Sequence, residues 1–316
     1  MSSLANIDLI ILFFFLGVLA SWLKSDLEIP PAIAKFLSIF LLLSLGLKGG
    51  HEVRAADDLS GFVAALMLGM ATCLAIPTYL YFWLRKKLGS VNAASLAACY
   101  GSVSAVTLIT AQGMLENDNI PYSGYIVAVM ALMEIPAILL ALHFYKRSQV
   151  KAIDASSNTF LSLMSAKSVI LLIGGFLIGL TMNDKSWVAL APVVQDSFKG
   201  VLAFFLLDLG IAAQRQLRRA WNFKATALTV ACILPLVHGI LALLGGSFLG
   251  LPVGDQILVA VLAGSASYIA APAAIKSSLP EANPSLYVAL PLALTFPMNV
   301  IIGIPLYIEL SQRLVQ

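Results

Sequence analysis

Polar, Gly/Ser-rich segments interrupt the apolar runs of this chain at two matched places, GSVSAVTLITA at 101–111 and GSASYIAAPAA at 264–274. Each lies in a stretch long enough to cross a bilayer. A helix-breaking polar segment is tolerated at that depth only where it is buried in protein or lines a cavity. Two copies from corresponding spans are how secondary transporters build a site near the membrane midplane. The alternative is that Gly, Ser and Ala at this spacing merely let helices pack closely.

The setting follows from composition. Of 316 residues, 60% are hydrophobic and 11% charged, and the mean hydropathy is +0.93. Apolar runs of about 18 residues or more recur along the chain, which predicts an all-α polytopic membrane protein. The formal charge of +3 comes without a basic cluster, so the sequence offers no case for nucleic-acid binding. Cys73, Cys99 and Cys232 lie in apolar spans without CxxC or Cys/His spacing and read as small core residues. The first apolar run has no basic leader and runs into LKSDLEIPP at 23–31, which reads as a retained span.

Ten transmembrane helices are expected, near 6–23, 32–49, 60–84, 92–114, 122–145, 167–183, 198–214, 224–250, 256–278 and 286–311. The only long connector, residues 146–166, separates a first repeat at 1–145 from a second at 167–316. FLLLSLGL at 40–47 aligns with FFLLDLGI at 204–211, placing Lys35 on Lys199, Ser44 on Asp208 and Gly46 on Gly210. Gly101 aligns with Gly264, and Pro136 with Pro297, at nearly the same offset. Five spans per repeat put the second copy into the membrane from the opposite side, giving an inverted repeat. With both termini outside, only Lys48, Arg54, Lys185, Lys199 and Arg313 of the 19 basic residues stay outside, as the positive-inside rule requires.

A helix broken at Gly-Ser-x-Ser presents unpaired N–H groups and a positive dipole end, an environment suited to a small anion. The expected substrate site is Gly101, Ser102, Val103 and Ser104 with Gly264, Ser265, Ala266, Ser267 and Tyr268; Tyr268 either lines the pocket or wedges between helices. Ionisable groups inside spans are functional candidates by default. Glu134, two residues before Pro136, suits a sodium cage or a proton carrier, or else a structural pairing. Asp208 suits an ion role or a subunit or domain contact, and Thr295 and Asn299 suit a second cation site or helix-packing hydrogen bonds. His238 reads as a hydrogen-bonded core residue, and His143 and His51 as interfacial. No nucleotide, nucleophile-elbow or zincin motif is present, so no enzyme is expected and an ion gradient is the energy source.

Through LSLGLKGG, GSVSAVTLITA, ALMEIPA, LVHG, AGSASYIAAPAAIK and PEANPSLY, in that order, the chain resembles the bacterial and cyanobacterial sodium-dependent bicarbonate transporters over nearly its whole length. The resemblance implies a core domain carrying the broken helices, a gate domain forming a homotrimer, an elevator-like movement, and sodium-coupled uptake of bicarbonate across the bacterial inner membrane, with periplasmic termini. It places Ser104, Thr107, Ser265 and Ser267 on Ser or Thr positions of the pattern and Glu134 on its Asp. Thr107 thereby joins the cation candidates. Pro272 is shared and Lys276 replaces an Arg. Tyr268 stands where the cyanobacterial pattern has Asp, which keeps open another small organic anion as substrate, with a passive pore as a further alternative. The connector at 146–166 is much shorter than in the family and weakens the expectation of a PII-like regulatory partner.

Overall fold

The computed structural model describes residues 9–55, 60–148, 167–219 and 225–315, and among them all regular structure is helical. In chain order the helices are α1 Leu9–Trp22, α2 Pro31–Ala55, α3 Ser60–Leu88, α4 Ser90–Gly101, α5 Ala105–Asn117, α6 Tyr125–Ser148, α7 Lys167–Thr181, α8 Asp184–Ala191 and α9 Phe198–Arg219. They continue with α10 Ala225–Phe248, α11 Val253–Ala263, α12 Ala270–Ser278 and α13 Ser285–Leu314. Most of the expected connector, residues 149–166, lies outside the described residues.

Seven helical stretches among the described residues, one of them the interrupted Ser90–Asn117, are long and apolar enough to cross a membrane. Three shorter apolar helices, Ile11–Trp22, Ile170–Thr181 and Val253–Ala263, fall on the expected first, sixth and ninth spans. The chain is therefore a multi-pass membrane protein. Large apolar side chains such as Leu16, Met67 and Leu177 are exposed along helix faces, where lipid rather than water is their solvent. Helix α8 and the wide π-helical turn after it at Pro192–Asp196 are not anticipated from hydropathy, because an eight-residue helix with no buried side chain carries too weak a signal.

Lipid is as apolar as leucine, so helices here associate through close packing and hydrogen bonds rather than by escaping water. Glycines make the closest seams. Gly17 of α1 faces the Leu207 carbonyl of α9, and Gly210 of α9 faces the Phe14 carbonyl of α1. Between α2 and α7 the same exchange recurs: Gly46 meets the Leu172 carbonyl, and Gly179 the Leu47 carbonyl. These two seams hold α1, α2, α7 and α9 backbone against backbone.

The remaining helices surround the interrupted pairs α4/α5 and α11/α12. Ala93, Ala94, Ala97 and Ala98 of α4 are fully buried, and such small side chains let α3 and α6 pack close to it. Of the most apolar window of the interrupted span Ser90–Asn117, 94% is buried, against 33% for α3. The broken segment thus sits at the centre of the bundle. Gly89, at φ +80, turns α3 sharply into α4, a backbone geometry that glycine adopts without strain.

The packing predicts opposite outcomes for two glycines. Gly210→Ala drives a methyl into the Phe14 carbonyl and should lower stability by about 1–3 kcal/mol. Gly174→Ala meets nothing within 4 Å and should be neutral or stabilising by up to about 1 kcal/mol. Thermal unfolding in detergent, read by tryptophan fluorescence, checks both.

Candidate functional site

The first interruption is a short extended segment. Ser102 ends α4 with ψ 173, and Ser104 opens α5 with φ −112 and ψ 111. The second runs from Gly264, at the end of α11, to Ile269 before α12. The two segments cross and satisfy each other. Ser104 N donates to Ser265 Oγ at 3.0 Å, and Ser267 N donates to the Cys99 carbonyl at 2.8 Å. One backbone amide released by each break is therefore paired by the other, as burial in hydrocarbon favours.

Neighbouring helices close the remaining valences. Ser102 Oγ donates to the Glu134 carbonyl of α6 at 2.9 Å, and Asn299 Nδ2 of α13 donates to the Gly264 carbonyl at 2.8 Å. Ser265 Oγ donates to the Leu262 carbonyl at 2.8 Å. The glycine that opens each segment is pressed against a proline-bearing helix. A Cβ on Gly101 would meet Pro77 of α3 at 2.6 Å, and one on Gly264 would meet the Pro235 carbonyl of α10 at 2.7 Å. Gly101 and Gly264 thus act in packing.

Each break also carries a serine that caps the helix after it. Ser104 Oγ accepts from Thr107 N at 3.1 Å and from Thr107 Oγ1 at 2.8 Å. With both lone pairs engaged, its own O–H is left to donate. Ser267 Oγ accepts from Ala271 N at 3.1 Å, one turn into α12. The first N–H groups of a helix have no partner within it, and here those positions in α5 are Ala105 and Val106.

These groups line one narrow pocket: Val103, Ser104, Ala105 and Val106 from the first break, Ser267, Tyr268, Ile269 and Ala270 from the second, with Glu134 and Leu42 completing the wall. The Tyr268 ring packs edge-on against Phe296, centroids 5.8 Å apart. Its hydroxyl lies near the Ser104 and Thr107 hydroxyls without forming a hydrogen bond of good geometry.

Of the residues expected from sequence, Val103, Ser104, Ser267, Tyr268 and Glu134 reach this pocket. Ser102, Ser265 and Ala266 are buried behind it, and Thr107 stands one turn along α5, bonded to Ser104. Thr295 is taken up by Tyr100 Oη and the Ala231 carbonyl, both at 2.8 Å. Asn299 steadies the second break, although its Oδ1 is buried and lacks a hydrogen-bond partner. Asp208 lies on α9 outside the pocket, within electrostatic reach of Arg215. His238 is hydrogen-bonded to Tyr79, His143 is exposed at a helix end, and His51 stacks on Trp187. No group of three or more His, Cys, Asp or Glu side chains able to hold a metal occurs among the described residues.

Asp255 is a supporting residue that sequence reasoning missed. It is fully buried at the start of α11 and accepts from Ser123 N at 2.7 Å, from Ser123 Oγ at 2.8 Å and from the Tyr125 hydroxyl. It ties the α5–α6 turn to the helix bearing the second break. An acidic residue in a helix's first turn is too common to signal this. Asp255→Ala strands these donors and should cost about 2–4 kcal/mol. A lowered unfolding midpoint, with faster amide exchange at 122–125, is the expected result.

Compared with known families, residues 10–312 match the family model described as the Na+-dependent bicarbonate transporter superfamily. No curated protein matches the chain.

Proposed function

This chain belongs to the Na+-dependent bicarbonate transporter superfamily, and from that membership we propose that it imports a small anion, bicarbonate first, coupled to sodium. The observation that carries the reading is the crossing of two broken helices, with serine hydroxyls and helix N-termini turned into one pocket beside a carboxylate. The anion is held by the Ser104 and Ser267 hydroxyls and by the first amides of α5, where the helix dipole adds positive potential. Sodium sits between the anion and oxygen ligands that include Glu134, with Thr107 and Asn299 as further candidates; Asp208, on α9 outside the pocket, and Thr295, bonded to Tyr100 and Ala231, drop out of that set. Its charge offsets the cost of taking an anion out of water, so neither ion binds well alone.

The wider architecture belongs to the same proposal. The helices form two inverted five-helix repeats, and the reciprocal glycine seams support it, since α1 on α9 is the repeat counterpart of α7 on α2. Those four helices form the gate and the site of homotrimer assembly. The others form a core that travels in elevator fashion in the bacterial inner membrane, with periplasmic termini. A PII-like partner would act through the connector at 146–166. A second reading, another small organic anion, is favoured by one observation: the wall contributed by Tyr268 is aromatic.

Uptake of labelled bicarbonate into proteoliposomes should follow an imposed inward sodium gradient; uptake indifferent to sodium contradicts coupling. Ser104→Ala removes a hydrogen bond to a charged substrate and should raise the KM roughly tenfold or more. Ser102→Ala, whose hydroxyl is committed to α6, should leave the KM close to that of the unaltered protein. Glu134→Gln should shift the sodium response to higher concentration, and an unchanged sodium response would assign Glu134 a structural role.

A further inference from the structure

Away from the crossing breaks, where α2 and α5 end and α9 begins, a second pocket opens between these helices. Ser44, Lys48, Gln112, Glu116, Tyr122 and Lys199 are among its lining residues. Glu116, at the far end of the helix that Ser104 opens, is gripped from two sides. Lys48 Nζ of α2 lies 3.1 Å from Oε1, and Lys199 Nζ of α9 lies 3.4 Å from Oε2. Lys48 also donates to the Tyr122 hydroxyl at 3.1 Å, which donates to Glu116 at 2.8 Å. Burial, and then the Glu116 charge, push the Tyr122 phenol well above its ordinary range, so it remains a donor.

Two features decide what this cluster does. Glu52, 3.9 Å from Lys48, completes two carboxylates against two ammonium groups. Counted with Glu52, the cluster is charge-balanced, and its charges are spent on one another. The seam also differs in kind from those of α1 with α9 and α2 with α7. There, backbones interlock; here, helices face one another across a cavity and are joined by half-exposed charges, which water and salt readily replace. Lys48 and Lys199 are moreover two of the five basic residues that the charge pattern leaves on the outer side.

The geometry points to an ionic latch in which Lys48 and Lys199 hold Glu116, and with it the substrate-bearing helix α5, against α2 and α9, sealing the outer pocket until these pairs exchange for water. The latch rests on the proposed movement of α5 relative to α2 and α9, but its test uses neither substrate nor sodium. A cysteine at Gln112, which is buried against the pocket at 6% exposure, reports opening through its rate of reaction with a charged, membrane-impermeant thiol reagent in lipid nanodiscs. Protein without Q112C corrects for the native cysteines.

Adding Glu116→Gln to Q112C should raise the labelling rate about fivefold, and the pair Lys48→Gln with Lys199→Gln should do the same. Exchanging the charges together, Glu52→Lys and Glu116→Lys with Lys48→Glu and Lys199→Glu, should restore slow labelling. Equal rates with and without Glu116→Gln, or a charge exchange that stays fast, overturn the latch. If Glu116→Gln fails to insert, the lysine pair decides in its place, and labelling no faster than in Q112C alone overturns the latch there too. Loss of sodium-driven uptake with the labelling contrast intact would instead count against the transport reading alone.

Discussion

Everything at the centre of this molecule depends on backbone groups that have no water to fall back on. Two helices stop in the middle of the bundle, and each pairs an amide that the other releases: Ser104 N with Ser265 Oγ, and Ser267 N with the Cys99 carbonyl. Neither break is tolerable without its partner. The crossing is a structural necessity in its own right, and it fixes where the capping hydroxyls of Ser104 and Ser267 sit.

Around that crossing the bundle uses two kinds of contact. Glycines bring α1 onto α9 and α2 onto α7 at backbone distance, and such seams leave little room to slide. Prolines serve differently. Pro77 and Pro235, one in each half, press on Gly101 and Gly264 and hold the ends of α4 and α11 at the point of interruption. Against this background the charged, cavity-bearing seam at Glu116 is built from exchangeable contacts, which is why it suits an interface that opens.

Much of this was legible in the sequence because hydrocarbon leaves so few options. Apolar length locates the helices, and the paired Gly-Ser-x-Ser segments locate both interruptions; the residues expected at the site supply five of the ten that line the pocket, Val103, Ser104, Glu134, Ser267 and Tyr268. Within those segments the division of labour was not legible. Gly101 and Gly264 belong to the expected substrate site, yet a neighbouring helix fills the space beside each. Ser102 and Ser265 look equivalent to Ser104 and Ser267, yet their hydroxyls are spent on carbonyls. A side chain's direction at a break depends on which carbonyl lies opposite, and that is set by tertiary contact. Asp255 and Glu116 were invisible for the same reason: Ser123 and Tyr125, which hold Asp255, and Lys48 and Lys199, which grip Glu116, lie far away in the chain.

The most direct measurement is a pair of density maps of the protein in lipid, one with sodium and bicarbonate and one with sodium and chloride. The account predicts a feature present only with bicarbonate, within hydrogen-bonding distance of Ser104 Oγ and Ser267 Oγ and close to Glu134. Bicarbonate-dependent density elsewhere, or α4 running unbroken into α5, would contradict it.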